Sequence, residues 1–473
     1  MGWTRTSPSA RADRERGARA YRAGLAALVG ALLLSACGGG SSMPAPSTNP
    51  ATPSPAETPP APSPASPAPT PEPSPEASFT IADGLSSVST VAASSDGRGY
   101  LVAFDAFRDH RHDIFAVRLD PDGARLDDEW ITLSDRSAIG SYPDAGYDSP
   151  SASFDGTAYD VAWFGEQGLS PEFPLTGWAF VAMRIDPAGV VLEPAKEIES
   201  GAGSGVGPTL LPPPAVAAQD SDFVVLWSVL LGGGLGTLVE GARVAFGTGD
   251  FAVEDLGVIA PPMGSSDTRR LTAGPPAIAT SGEATVGAWV EGELRRDGTS
   301  QPNGAVWVYA LDGSSRTRTR VADVVAGDRF RTAIAGDGTD FLIVWEAATE
   351  TAPGDVTEIR GARFRPGAGV LDGDDGFVIQ AGVGRIRLGG VAYGPGGYLV
   401  TWIEPHGSVS GDRLRAVQVS PGGEVDRSAI FEVADDVGSP SAVGVTSNGR
   451  RFLVVFFRDD PRLSLVGTFL DPP

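Results

Sequence analysis

Seven copies of one phrase, each built of short β-like runs around an Asp-Gly or Asn-Gly turn, predict an all-β fold. The expected architecture is a seven-bladed β-propeller of four-stranded blades. Two further observations support it. Apolar runs end in an aromatic at Phe104, Trp163, Trp227, Trp289, Trp345, Trp402 and Phe456, with spacings of 59, 64, 62, 56, 57 and 54 residues. The seventh copy stops after its third run, and a matching run stands ahead of the first copy.

The first run of each copy, A, is small and apolar, as in Val88–Ala93, Pro214–Ala218, Pro276–Ala279, Leu388–Ala392 and Ser441–Val445. Tight turns follow at Asp96-Gly97, Asp155-Gly156, Asp337-Gly338 and Asn448-Gly449, a strong hairpin signal between apolar runs. Run B has no polar face and carries the recurring aromatic, so both its faces must be covered. Run C alternates, as in Val239–Val244 and Ile359–Phe364. A second glycine turn follows, at Asp120–Gly123, Asp186–Gly189 and Ser420–Gly423. Run D closes the unit, as in Lys196–Ile198, Gly376–Ile379 and Ile430–Val433. The missing seventh D run is expected from the front of the chain. Ser78-Phe-Thr-Ile-Ala-Asp83 reads like Trp130-Ile-Thr-Leu-Ser-Asp135 and should pair beside Leu463–Leu470, closing the ring and removing two exposed edges.

The propeller is assigned to residues 78–473. Residues 1–36 form an Arg-rich stretch followed by the 12 apolar residues Ala23–Leu34, the pattern of a secretory signal. That run is short of the ~20 residues needed to span a bilayer. Residues 37–77 are rich in Pro, Ser, Ala and Thr, which cannot bury a core and suit an extended tether. Leu34-Ser35-Ala36-Cys37 resembles a bacterial lipobox. The resemblance implies cleavage before Cys37, acylation of that cysteine and a lipid anchor in the cell envelope. Gly38 brings no acidic retention signal, which directs the anchor to the outer membrane. Cleavage near Ala36 with Cys37 incidental is the other reading of the same residues. Cys37 is the single cysteine, so no internal disulfide can form.

Net charge is −23 overall; the leader contributes +4, from six arginines against Asp13 and Glu15, leaving the mature chain near −27. So acidic a surface repels phosphate backbones and argues against a nucleic-acid partner. A monomer is expected.

In a four-stranded blade the A–B and C–D turns share one face, and the B–C and D–A connections share the other. Here the first set is short and the second is long and varied, with B–C loops such as Leu230–Thr237 and Glu291–Asn303 and D–A connections such as Pro261–Gly274. The varied face is where binding is expected, with a protein or glycan as ligand. Candidates there are Asp105, Asp109, His110, His112, Asp113, Glu166, Glu291, Glu346, Glu404, His406, Asp459 and Asp460. His110 and His112, two apart on an extended segment, point one way and are weak candidates for a shared divalent cation. No cofactor is otherwise implied. The runs that should line the channel carry no His, Asp or Glu, and no nucleophile constellation assembles. A non-catalytic binding module is therefore expected, with glycan hydrolysis or elimination by loop carboxylates as the alternative.

Individual copies also resemble the short repeats of TolB-like propellers, in the Asp96-Gly97 turn, the apolar-aromatic run and the following Asp113-Ile-Phe-Ala-Val117. That resemblance implies propeller architecture and, as a further alternative, an envelope assembly role.

Overall fold

The computed structural model describes residues 77–108, 111–134, 147–167, 177–202, 213–220, 222–231, 236–246, 251–260, 269–295, 301–312, 315–326, 330–348, 356, 358–382, 385–405, 412–438, 442–459 and 462–471. Cys37, Asp109, His110, His406 and Asp460 lie outside these residues, as does the side chain of Glu166.

The chain folds into a seven-bladed β-propeller. Blade 1 is β2 (Val91–Ser95), β3 (Tyr100–Arg108), β4 (Arg111–Leu119) and the two-residue β5 (Ile131–Thr132). Blade 2 is β6 (Tyr147–Phe154), β7 (Tyr159–Gln167), β8 (Gly177–Ile185) and β9 (Val191–Ala202). Blade 3 is β10 (Ala215–Gln219), β11 (Asp222–Leu231), β12 (Gly236–Phe246) and β13 (Phe251–Ala260). Blade 4 is β15 (Ala277–Ser281), β16 (Ala284–Arg295), β17 (Gln301–Asp312) and β18 (Ser315–Ala326). Blade 5 is β19 (Thr332–Gly336), β20 (Phe341–Ala347), β21 (Glu358–Arg365) and an outer strand in two pieces, β22 (Gly369–Val370) and β23 (Phe377–Ala381). Blade 6 is β24 (Arg387–Gly394), β25 (Gly397–Pro405), β26 (Asp412–Val419) and β27 (Phe431–Val437). Blade 7 is β28 (Val443–Ser447), β29 (Phe452–Arg458), β30 (Ser464–Leu470) and, from the front of the chain, β1 (Phe79–Ala82). The innermost strands neighbour one another in the order β2, β6, β10, β15, β19, β24, β28, and β28 returns to β2. That cycle is the closed ring.

Closure is as the sequence predicts. β1 runs antiparallel to β30, with Phe79 opposite Gly467 and Thr80 opposite Val466. Phe79 stacks on Phe469 at 5.2 Å, and Ile81 and Ala82 are buried. The register leaves room because residue 467 is glycine. A methyl group there would come within 2.7 Å of the Phe79 ring.

The second strands are apolar on both faces because each lies between two neighbouring blades. β20 is buried along its whole length, and Trp163, Trp289, Trp345 and Trp402 are fully buried. The hairpin turns follow a repeated device. Asp96, Asp155, Asp337 and Asn448 each accept two backbone N–H groups through one side-chain oxygen, and the following glycine has a positive φ.

The C–D turns knit blades together. Arg118 on β4 is held by Asp127 and donates from Nη1 to the carbonyl of Pro187, in the C–D turn of blade 2, at 2.8 Å. Arg363 on β21 repeats this geometry with Asp372 and the Pro421 carbonyl of blade 6, at 3.3 Å.

Near the axis, small residues let the inner strands approach. A Cβ on Gly444 would lie 2.7 Å from Val455 Cγ2 and 3.3 Å from the backbone nitrogen of Ala93 in blade 1. Gly444→Val should therefore push blades 7 and 1 apart and cost about 1–3 kcal/mol by overpacking, measured by chemical denaturation. Unchanged stability would mean that this seam is not closely packed.

Blades 3 and 4 depart from expectation. Much of the segments Leu230–Thr237 and Glu291–Asn303, read from sequence as B–C loops, is strand, because β11, β12, β16 and β17 run on beyond the usual blade height. An added strand, β14 (Arg269–Ala273), lies in what was expected to be a D–A loop. It pairs antiparallel with the extension of β16 and touches β12 in parallel at Gly236 opposite Leu271. The two blades are thus joined into one nine-stranded sheet.

Candidate functional site

The candidate face is the one carrying the B–C and D–A connections. Its described carboxylates sit just past the aromatic that ends each second strand, and their offset from that aromatic decides what they do.

At the first position past the aromatic stand Asp105, Phe164, Ser228, Val290, Glu346, Ile403 and Phe457. The two carboxylates there are turned inward. Asp105 is fully buried and accepts from the backbone N–H groups of Ser89 and Thr90, at 2.8–3.0 Å, where the chain enters β2. Glu346 is 2% exposed. Its Oε2 accepts from Arg331 N–H at 2.8 Å, at the entry of its own blade's β19, and its Oε1 accepts from Leu388 N–H at 2.7 Å, on β24 of the next blade. Glu346 therefore clasps two inner strands. Burial pushes its carboxyl up to about 6, against the opposing pull of those N–H groups and of Arg331 and Arg387.

At the second position stand Glu291 and Glu404. Each accepts the indole N–H of its own blade's tryptophan, Trp289 at 2.8 Å and Trp402 at 2.7 Å. Glu291 also pairs with Arg318, whose guanidinium lies 4.0 Å from the centre of the Trp307 ring. The buried indole nitrogens of Trp163, Trp227 and Trp345 have no hydrogen-bond partner among the described residues. None of these three has a carboxylate at the second position, so the offset explains the difference.

The third position holds Glu166, whose side chain is outside the described residues, and Asp459, which is exposed. In blade 1, His112 Nδ1 lies 3.6 Å from Asp105 Oδ2, and the imidazole sits edge-on to Phe107 with ring centres 5.5 Å apart. Asp113 accepts from the Ser134 hydroxyl at 3.0 Å, which fastens β4 to the chain beyond β5. Among the described residues no three His, Cys, Asp or Glu side chains converge as a metal site, and the two other histidines, His110 and His406, fall outside them.

Sequence reasoning passed over two buried carboxylates, Asp340, which pairs with Arg365, and Asp160. Three residues before the recurring aromatic the blades have Leu101, Val224, Val286, Leu342, Leu399 and Leu453, but blade 2 has Asp160, fully buried. Aligning the repeats at this offset exposes it. Arg184, at the position of Arg118 and Arg363, here turns toward its own blade. Its Nε donates to Asp160 Oδ1 at 3.2 Å, and its guanidinium lies 4.6 Å from the Phe246 ring of blade 3. Burial and the charge of nearby Asp222 push the Asp160 carboxyl up to about 8, even beside that arginine.

No sequence-family model and no curated protein matches this chain. Among solved structures, it is similar at 12% identity to a prolyl endopeptidase, covering 83% of this chain and 51% of that one, with a TM-score of 0.42. It is similar at 11% identity to the propeller domain of the Trilobed protease from Pyrococcus furiosus, covering 83% and 94%, also with a TM-score of 0.42. A Trypanosoma rangeli sialidase is similar at 8% identity over 74% of this chain and 56% of that one, with a TM-score of 0.38. The chain thus spans about half the length of the first and last of these.

Proposed function

We propose that the protein is a lipid-anchored, extracytoplasmic binding module that presents its loop-bearing face to a protein or glycan. The observation that carries this reading is the fate of the carboxylates. Asp105, Glu346, Glu291 and Glu404, the groups a loop-face hydrolase would draw on, are each engaged in holding strands or tryptophans in place.

The path of the chain also supports it. β1 begins beside the C–D turn of blade 1, where a methyl on Gly123 would lie 2.7 Å from the Phe79 ring. The chain therefore enters β1 at the short-turn face, on the side away from the B–C and D–A loops.

Two measurements test the two halves separately. Radiolabelled palmitate should be incorporated in a bacterial host and lost with Cys37→Ala; equal labelling of both forms would remove the anchor. Replacing residues 168–176 and 349–355 by short Gly-Ser links should abolish crosslinking to the partner that the wild type captures. Unchanged capture would remove the loop face as the binding surface.

A further inference from the structure

Outer strands are the exposed edges of a propeller, and most of those here are blunted. β5 has two residues, β1 has four, and blade 5 divides its outer strand into pieces of two and five. β9 carries Pro194 and three breaks of register, and β27 has two such breaks. These are ordinary means of preventing edge pairing. β18 in blade 4 also has two breaks of register, but both fall past Arg320. It has 12 residues without proline, ends its sheet, and among the described residues has β17 as its one hydrogen-bonded strand neighbour. From Ser315 to Arg320 it keeps regular register against Asp312 to Trp307.

The same stretch reads Ser-Arg-Thr-Arg-Thr-Arg. Alternate residues of a strand share a face, so Arg316, Arg318 and Arg320 form a comb along one side of the edge. The chain has 59 acidic residues against 36 basic ones, which makes three arginines at every second position a departure from its general character. Arg318 is committed to Glu291 and Trp307. Arg316 and Arg320 have side chains 41% and 53% exposed and pair with Glu254 and Asp323, which are more exposed still. Such surface pairs contribute little and exchange readily.

We infer that the outer edge of β18 is a strand-addition site for an extended acidic segment of another protein. Such a segment would extend the sheet through backbone hydrogen bonds, with carboxylates at alternate positions alongside the arginines. The comb selects the sign of the partner, and the regular register gives it a template about six residues long. The chain's own tether is unsuited. From Pro44 to Pro75 no more than three consecutive residues lack a proline, and proline has no N–H to give to a ladder. At physiological salt the Debye length is ~8 Å, so the overall negative charge is largely screened at the edge while the adjacent arginines are not. The loop face is not involved, so this edge and the proposed loop-face function stand or fall separately.

The probe is a labelled eight-residue peptide alternating Glu and Val, with two controls: Lys in place of Glu, and Pro in place of every second Val. Binding is read by fluorescence polarisation on the full-length protein in detergent, with hydrogen–deuterium exchange to locate it. The Glu-Val peptide should bind at least about tenfold more tightly than either control and slow exchange in Ser315–Ala326. The double variant Arg316→Glu/Arg320→Glu, with an unchanged circular dichroism spectrum, should invert the preference toward the Lys peptide. Absence of binding, equal binding of the Lys or Pro peptide, or protection confined to another strand would overturn the proposal. So would self-association of the protein through Ser315–Ala326 in the absence of peptide, since the occupant would then be a second copy.

Discussion

Deleting Phe79–Ala82 should abolish the cooperative fold. These four residues are the outer strand of blade 7, and their loss exposes the edge of β30 and the ring of Phe469. Ile81 is fully buried, and truncating a buried Ile costs about 2–5 kcal/mol, with a further contribution from Phe79. The total approaches the 5–15 kcal/mol that holds a typical domain together. The deletion variant should melt at a much lower temperature in calorimetry and elute as oligomers, through pairing of the exposed edge. A synthetic peptide spanning Ser78–Asp83 should partly restore the transition. A deletion variant that melts like the wild type would show that the ring does not depend on this strand.

The second large effect is expected at Glu346. Glu346→Leu removes the acceptor for the buried N–H of Leu388 and the part-buried N–H of Arg331. A buried unsatisfied group costs about 1–3 kcal/mol and a part-buried one less, so the variant should lose about 2–4 kcal/mol in urea unfolding. Its pH dependence has a definite sign. The folded carboxyl titrates near 6, above its ordinary value of 4.5, so the folded state binds the proton more tightly than the unfolded chain does. Glu346 therefore contributes a gain in stability as pH falls from about 6 to 4.5, on the order of 2 kcal/mol for such a shift. Above pH 6 that contribution is absent. Glu346→Gln cannot titrate, so the difference in stability between wild type and Gln variant should change across this window and stay flat above it. A flat difference throughout would mean that Glu346 titrates normally in the folded protein.

The repeat made most of the fold legible. Each blade uses the same local chemistry: Asp-Gly or Asn-Gly to turn, an apolar run to be sandwiched, an aromatic to end it. Those signals lie within about ten residues of one another and need no knowledge of distant contacts. The ring closure was legible because the β1 sequence matches the D run that blade 7 lacks. The extended sheet of blades 3 and 4 was not. Glu291–Asn303 contains Gly292, Asp297 and Gly298, which read as loop, and β14 is strand because β16 extends far enough to pair with it. Propensity was overridden there by an available partner.

The candidate site was legible as residue types and positions, and its chemistry was not. Asp105, Glu291, Glu346 and Glu404 look alike in sequence, all acidic and all near an aromatic. A side chain one residue past the aromatic points to the opposite side of the strand from one two residues past it. One pair was thereby turned toward backbone N–H groups at the entries of inner strands, and the other toward the indole of its own blade.

The sequence by itself determined the number of blades, the composition of each strand and the identity of the closing strand, because those follow from local pattern repeated seven times. Tertiary structure alone decided which carboxylates became internal clasps, that blades 3 and 4 share one sheet, and that Ser315–Arg320 of β18 is left as a regular edge beside an arginine comb. Each of these depends on the distance between groups brought together by the ring, across blades whose residues are far apart in the chain.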